Sequence, residues 1–361
     1  MKLILLLLLT ALLPACLYAQ NRYDIVMDEI MADPAPQTGL PNNEWIELRN
    51  TTSAPINLQN WRIGDAAGQS GPMPGFILEP DSFVIVCTGS AVASLSVFGT
   101  TISVTGFPSL DNDGDQLFLK APNGMIIHAV SYTSSWYQNE LKKDGGWTLE
   151  MTDTRSPCAG TSNWKASIST TGGTPGKKNS VDAVNNDQAA PQLKRAYTTD
   201  NTTIILVFDE PLDSIKGATI VNYSIDGGLS IAGAVTLPPL FDRVQLKTNS
   251  ALAANTVYTI TAGNVTDCKN NTIGSANKTR TGLPVDAGAG EWIINEILFN
   301  PKPNADDYVE LYNNSSKIFD AAKLYIANRN SSGTVSSIKA LSTDPFLYFS
   351  RRLYCCNGRC R

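Results

Sequence analysis

The most constraining feature of the chain is a pattern that occurs twice, at residues 25–50 and again at residues 293–313. Each copy has a short apolar strand containing a glutamate, a loop rich in proline and asparagine, and a second strand in which an aromatic residue precedes a glutamate by two positions. The matched residues are Glu29 and Glu296, Trp45 and Tyr308, Glu47 and Glu310, and Asn50 and Asn313. A spacing of about 270 residues indicates a domain that is used twice, since solenoid repeats are far shorter.

Short apolar runs separated by turns predict an all-β protein. Before residue 181, segments such as FVIVC and MIIHAVSY have the length and composition of strands, and Pro-Asn-Gly at residues 122–124 indicates a hairpin turn. No stretch in this part keeps apolar residues at helical spacing for three turns. We therefore expect β-sandwich or barrel domains.

The first 19 residues are typical of a secretory signal peptide. Lys2 precedes an apolar run, and Leu17-Tyr18-Ala19 is an ending that signal peptidase accepts. An alternative is a lipoprotein signal, in which Cys16 carries the lipid. The apolar run is shorter than the ~20 residues that a membrane span needs. We expect a secreted or cell-surface protein, with an outer-membrane lipoprotein as the alternative.

Residues 23–181 resemble the lamin tail domain, in the version found in exported Bacteroidetes-type proteins. The resemblance rests on an ordered set of segments: DEIMADP, EWIELRN, INLQNW, FVIVC, FPSLDNDGDQLFL, HAVSY and GGWTLEM followed by GGTPGKKNS. It implies an immunoglobulin-like (Ig-like) β-sandwich. It implies no nuclear role, since this chain has no coiled-coil rod.

Residues 192–282 resemble a bacterial Ig-like module of the surface-layer type, through FDEPLD, NYSI and NVTDCKNN. Together these resemblances predict Ig-like β-sandwich domains in tandem. The expected organisation is a signal peptide at residues 1–19, a lamin-tail-like domain at 23–181, a linker at 182–191, an Ig-like domain at 192–282, a partial second lamin-tail-like domain at 290–349 and a frameshifted tail at 350–361.

The tail differs from the rest of the chain because residues 350–361, SRRLYCCNGRCR, hold four Arg and three Cys. Aligned with the first copy, this position should hold the strand FVIVC. Residues 349–361 can be encoded so that reading one base later gives FPGDYIVVTEDA, an alternating strand. We interpret the tail as frameshifted, with a genuine cysteine-rich tail as the alternative. Cys355, Cys356 and Cys360 are therefore not interpreted as a metal site.

The remaining cysteines leave one pairing to consider. Cys87 and Cys158 fall in the same expected domain of an exported protein, so a disulfide between them is one interpretation. The other is a buried, unbonded Cys87 with Cys158 in a loop. Cys268 has no candidate partner in its own segment.

Catalytic groups are scarce. His128 is the only histidine, which argues against Ser-His-Asp, Cys-His and multi-histidine metal mechanisms. Paired acids such as Glu29 with Glu47, or Glu44 with Glu47, could in principle hydrolyse glycosides. Glu29 and Glu47 recur in the second copy, however, so we expect them to support the fold by accepting hydrogen bonds from loop amides. We predict no catalytic residue and no cofactor.

Two further sets of residues are candidate binding sites. Asp111, Asp113 and Asp115 are candidate calcium ligands in the loop LDNDGDQ, although the same residues also suit an ordinary hairpin turn. The aromatic residues Trp136, Tyr137, Trp147 and Trp164 could stack on sugars or anchor a protein, or they could close the end of the sandwich.

A net charge of -5 gives no electrostatic signature for nucleic acid. The residues thus favour a non-catalytic scaffold or adhesion-type protein whose partner is a protein or polysaccharide. The alternatives are an accessory region of a secreted nuclease or phosphoesterase, and a carbohydrate-binding module.

Overall fold

The structure is a computed structural model that describes residues 20–303 and 305–357. The predicted signal peptide, the Cys16 lipidation site and Cys360 lie outside the described residues. Strands dominate, which confirms the prediction of an all-β fold. The described α-helices are single turns, α1 (Val92–Leu95) and α2 (Ser214–Gly217). Among the described residues, no helix is long and apolar enough to cross a membrane.

The first domain (residues 22–181) contains eleven strands. They are β1 (Ile25–Met31), β2 (Trp45–Asn50), β3 (Ile56–Asn57), β4 (Arg62–Gly64), β5 (Ile77–Leu78), β6 (Phe83–Cys87), β7 (Thr101–Ser103), β8 (Gly114–Lys120), β9 (Ile126–Thr133), β10 (Leu149–Met151) and β11 (Trp164–Ala166). The main sheet has the order β11-β10-β1-β2-β6-β7, and β4-β8-β9 forms a second sheet. The core includes Trp61, Tyr132 and Trp164.

The second domain (residues 192–283) is a smaller sandwich. Its strands are β12 (Leu193–Thr198), β13 (Thr203–Phe208), β14 (Tyr223–Ile225), β15 (Ile231–Leu237), β16 (Arg243–Thr248), β17 (Tyr258–Ala262) and β18 (Lys278–Thr281). A four-stranded sheet, β12-β13-β16-β15, and a three-stranded sheet, β14-β17-β18, enclose a core of its own that includes Leu206, Leu246 and Ile260.

The C-terminal unit (residues 290–357) repeats the first strands of the first domain. Its strands are β19 (Trp292–Leu298), β20 (Tyr308–Asn313), β21 (Phe319–Asp320), β22 (Tyr325–Arg329), β23 (Val335–Ala340), β24 (Leu347–Tyr348) and β25 (Leu353–Asn357). Its sheet β19-β20-β25 corresponds to β1-β2-β6.

The two copies agree in strand register. Glu29 is opposite Glu47, and Glu296 is opposite Glu310, with a register shift immediately before the first glutamate of each pair. The tail forms β25, in which Cys355 is opposite Glu310 as Ile85 is opposite Glu47. The tail thus lies beside β20, at the position that β6 has beside β2 in the first copy. The frameshift of residues 350–361 stays a prediction.

Candidate functional site

A row of three glutamates crosses the main sheet of the first domain. Glu29 on β1 is directly opposite Glu150 on β10 and, on its other side, directly opposite Glu47 on β2. Directly opposite residues of neighbouring strands share one face of a sheet. All three side chains are 0% exposed. We call Glu47, Glu29 and Glu150 the glutamate row.

The glutamate row is covered by residues 172–181, which we call the closing segment. The N–H of Thr174 donates to Glu29 Oε1 at 2.7 Å, and the N–H of Gly176 donates to Glu47 Oε2. Glu150 accepts hydrogen bonds from the Thr174 hydroxyl at 2.9 Å and the Ser180 hydroxyl at 2.7 Å. The row therefore attaches the closing segment to the sheet, and the predicted contacts with loop amides are present.

Burial affects the charge of Glu29 and Glu47. It raises the pKa of Glu29 and of Glu47, and the neighbouring acidic side chains raise both further. Asp28, beside the row, is also 0% exposed, and burial raises its pKa to about 7. Neither carboxylate oxygen of Asp28 accepts a hydrogen bond, and its contact with Arg49 Nη1 is 4.0 Å long. Because the side chains of the row have no access to solvent, their arrangement is suited to holding a segment rather than to meeting a substrate.

In the C-terminal unit the corresponding glutamates have different surroundings. Glu296 accepts a hydrogen bond from the Tyr308 hydroxyl at 2.7 Å, and Glu310 accepts one from Asn295 Nδ2 at 2.5 Å, both in exposed positions. The apolar side chains of Ile294 and Ile297 on β19 are 55% and 56% exposed. The buried row with its closing segment is thus a feature of the first copy.

The cysteines pair differently from the sequence-based interpretation. Cys158 is bonded to Cys268 of the second domain, with 6.1 Å between their Cα atoms. Cys87 is unbonded and 0% exposed, and burial raises the pKa of its thiol to about 11. The proposed Cys87–Cys158 disulfide is therefore wrong. The physical reason is that β6 places Cys87 in a small apolar cluster on the sheet, while the loop carrying Cys158 lies against the second domain.

The same junction is joined by a cation. The guanidinium of Arg22, at the start of the first domain, lies 4.1 Å from the ring centre of Phe241 in the second domain and 4.7 Å from that of Tyr23. Its Nη1 also donates to the carbonyl of Leu212 at 3.0 Å. Arg22 and the disulfide therefore connect the two domains at separate points, and neither connection was predicted from the sequence.

Three acids at this junction were not predicted from the sequence. Carboxylate oxygens of Asp187, Glu210 and Asp267 lie within 4.8 Å of one another. Burial raises the pKa of Glu210 to about 8, and the charges of Asp267, Asp187 and Asp209 add to this effect. The available signal was the position of Glu210 in FDEPLD and of Asp267 in NVTDCKNN, two motifs noted only for their resemblance to a family.

The predicted calcium ligands are not brought together. Asp111 and Asp113 are exposed, and their carbonyls accept hydrogen bonds from Gly114 and Ser134 as parts of a turn. Within the described part of the chain, Asp111, Asp113 and Asp115 do not form a group of carboxylates close enough to share an ion. The turn interpretation describes this loop.

The four aromatic residues pack rather than project. Tyr137 and Trp164 are 3% and 1% exposed, and Trp136 and Trp147 pack against the core of the first domain. His128 is 0% exposed and its Nδ1 accepts the Met27 N–H at 2.9 Å. Burial lowers the pKa of His128 to about 3, so the imidazole is neutral.

Comparisons with known proteins agree with the first part of this architecture. The family model described as Lamin Tail Domain matches residues 19–134. The first domain is similar to the lamin tail domain. The match covers less than half of the chain, and it confirms the predicted resemblance of this region. No curated protein is significantly similar to the chain.

Among solved structures, the N-terminal part of the bacterial S-layer protein SbsC is 17% identical over 41% of this chain and 33% of its own, with a TM-score of 0.25. The S-layer protein rSbsC(31-844) and the structure of SbsC domains 1-6 give the same identity and TM-score over 19% of their own lengths. The matched region thus spans a third or less of these chains.

Proposed function

We propose that the protein is a non-catalytic, exported scaffold or adhesion-type protein that acts at the cell surface or outside the cell. It presents lamin-tail-like and Ig-like modules, and its partner is a protein or a polysaccharide. The observation that carries this proposal is the covalent junction between the first two domains, formed by Cys158 and Cys268. A disulfide of this kind is typical of oxidising compartments.

The junction also explains how such a protein would work. Domains joined only by a flexible connection change orientation easily, whereas a disulfide and a half-buried cation contact at separate points restrict that motion. Arg22 and the Cys158–Cys268 bond provide these two points. A rigid pair of sandwiches can hold binding surfaces, or a further domain, at a set distance from the cell.

Export is tested by expressing the full chain in a Gram-negative host, followed by fractionation and by protease treatment of intact cells. We expect an exported protein with Cys158 and Cys268 oxidised. A Cys16→Ser variant distinguishes the two forms of export, since loss of membrane attachment indicates a lipoprotein and unchanged release indicates signal-peptidase cleavage. Retention of the chain in the cytoplasm with reduced cysteines would contradict the proposal.

The scaffold role is tested by small-angle X-ray scattering of the purified chain and of a Cys158→Ser, Cys268→Ser double variant. We expect the natural chain to fit one rigid arrangement of its first two domains and the double variant to require an ensemble. Turnover of phosphodiester or glycoside substrates by the purified chain would contradict the non-catalytic assignment.

A further inference from the structure

One edge of strand β19 has no partner strand in the C-terminal unit. Among the described residues, β19 pairs with β20 on one side and with no strand on the other. In the first domain the matching edge of β1 is occupied by β10, which places Leu149 directly opposite Ile30. The first copy therefore shows that an antiparallel strand fits against this edge.

The apolar side chains along this edge are exposed, although their counterparts in the first domain are buried. Ile294 and Ile297 correspond in strand register to Met27 and Ile30, which have no exposed surface. Both isoleucines of β19 are more than half exposed, and so is Phe299 just after the strand. An apolar strand edge that is open to solvent is a site for pairing with a further strand.

The sequence of β19 indicates that this further strand is β19 of a second copy of the chain. Residues 293–298, IINEIL, consist of two apolar, two polar and two apolar residues, so the pattern is the same in both directions. Antiparallel strands run in opposite directions, and a two-fold interface repeats each contact with the two copies exchanged. The centre of the pattern lies between Asn295 and Glu296. Pairing about that centre places Ile294 of each copy opposite Ile297 of the other.

The polar residues at the centre of the pattern are complementary in this register. Asn295 of each copy lies opposite Glu296 of the other, so an amide donor faces a carboxylate acceptor at both positions. Both groups lie on the face of the sheet that carries Glu310, because Asn295 Nδ2 donates to Glu310 and Glu296 is directly opposite it. Each keeps capacity for a further bond, since Glu296 accepts the Tyr308 hydroxyl through Oε1 and the amide of Asn295 has a second N–H. The two Glu296 carboxylates are not directly opposite each other, so the distribution of charge favours this pairing.

The length of β19 determines how strong such an interface is. The strand has 7 residues, Trp292–Leu298, and each copy would contribute one such strand. A standard stable interface takes about 20–30 residues from each partner. Pairing of β19 alone therefore corresponds to a weak, concentration-dependent dimer, with a Kd of roughly 10–100 μM.

We propose that two copies of the chain associate through antiparallel pairing of their β19 strands, with Ile294 of each copy opposite Ile297 of the other. The two C-terminal sheets then form one continuous sheet, to which each copy contributes β19, β20 and β25. The association does not depend on the proposed scaffold function, since it is measured directly on the purified chain.

The test is sedimentation velocity of the purified chain at concentrations from about 5 to 500 μM, which bracket the expected Kd. The three tail cysteines are replaced by serine in every sample, so that no disulfide joins two copies. We expect a monomer at the low end and a dimer at the high end. Ile294→Lys and Ile297→Glu should each weaken the dimer by about 10-fold or more, because each sets a charge against an apolar side chain. Val221→Lys is the matched control, since Val221 is 88% exposed in the second domain, and it should leave the dimer unchanged.

A mixture of the two single variants distinguishes strand pairing from damage to the fold. In a mixed dimer the introduced lysine faces the introduced glutamate at one position, and Ile297 faces Ile294 at the other. Opposite charges on directly opposite residues stabilise a strand pair, so the mixture should associate within about 3-fold of the natural chain. A natural chain that stays monomeric at about 500 μM, far above the expected Kd, overturns the proposal. A dimer that both single variants retain, or a mixture that associates no better than either variant alone, overturns it as well.

Discussion

Glu29 and Glu150 lie directly opposite each other on β1 and β10, and neither side chain is exposed to solvent. Two buried carboxylates on directly opposite residues repel each other if both are charged. Their hydrogen bonds to the closing segment, including Thr174 N–H to Glu29, offset part of that repulsion. The stability of the first domain should therefore depend on the protonation of Glu29, whose pKa burial and the neighbouring acids raise.

We predict that the first domain loses stability as the pH rises above about 6.5. The pKa of Asp28 is raised to about 7, and those of Glu29 and Glu47 are also raised. A carboxyl group with a raised pKa in the folded state binds its proton more tightly there than in the unfolded chain, so folding is favoured at low pH. That advantage is lost as the pH rises through the folded pKa. A difference of one pH unit between the folded and unfolded pKa corresponds to about 1.4 kcal/mol. We therefore expect the free energy of unfolding to fall by about 2–4 kcal/mol between pH 6.5 and 8.5.

His128 has the opposite effect at lower pH. Burial lowers the pKa of His128 to about 3 in the folded chain. Between about pH 3 and pH 6.5, the imidazole is therefore protonated in the unfolded chain but neutral in the folded chain. The contribution of His128 to stability rises between about pH 3 and pH 6.5 and is constant above pH 6.5, so only the carboxyl groups change the stability there. Urea unfolding followed by tryptophan fluorescence measures this loss of stability above about pH 6.5, because five of the six Trp lie in the first domain. Stability that is unchanged or higher at pH 8.5 would contradict this assignment.

The repeated motif provides a matched pair of substitutions. Glu29→Ala should lower the free energy of unfolding by about 2–4 kcal/mol, because it leaves a cavity and an unpaired Thr174 N–H. Glu296→Ala, at the same motif position, should change it by less than about 0.5 kcal/mol, since its contact with Tyr308 is exposed. Glu29→Gln should keep most of the stability and reduce the loss at high pH. Equal effects of the two alanine substitutions in urea unfolding would show that the row is not structural.

Much of the architecture could be predicted from the sequence because it depends on local patterns. The apolar strands, the Pro-Asn-Gly turn and the motif shared by both copies are each visible within a few residues. The glutamate row was also predictable in part, since recurrence of Glu29 and Glu47 indicated support of the fold. Glu150 could not be assigned to the row, because only the pairing of β10 with β1 places it there.

The junction could not be predicted in the same way. Cys158 and Cys268 are 110 residues apart and belong to different domains, and a pairing within one domain is the simpler expectation. The lack of a partner for Cys268 in its own segment was the available signal. Asp187, Glu210 and Asp267 come together only when the second domain folds against the connecting segment.

The disulfide can be verified by mass spectrometry of peptides from the unreduced chain. We expect one cross-linked peptide that contains Cys158 and Cys268, and alkylation of Cys87 only after denaturation. Cys158→Ser should lower the free energy of unfolding by about 2–4 kcal/mol. A peptide joining Cys87 to Cys158 would overturn the pairing.

The contact of Arg22 with Phe241 should couple the first two domains energetically. Arg22→Ala and Phe241→Ala each remove the cation–ring contact, so a double-mutant cycle isolates it from their other effects. We expect a coupling energy of about 0.5–2 kcal/mol in urea unfolding. Arg22→Lys should recover only part of it, because an ammonium group lacks the planar surface of the guanidinium. A coupling energy of zero would mean that the contact does not hold the domains together.

Gly176 allows the closing segment to approach the sheet. Its φ is +74°, and an added Cβ would lie 2.7 Å from the carbonyl oxygen of Phe98 and 2.8 Å from the Cα of Gly99. Gly124 has a φ of +90°, but an added Cβ would have nothing within 4 Å. Gly124→Ala is therefore the control that measures the cost of backbone strain without a clash. We expect Gly124→Ala to lower the free energy of unfolding by about 1 kcal/mol, and Gly176→Ala by about 2–4 kcal/mol because the clash displaces the N–H that donates to Glu47. Hydrogen exchange should then show faster exchange of the Thr174 and Gly176 amides in Gly176→Ala alone, and slow exchange of both would mean that the segment tolerates the added methyl group.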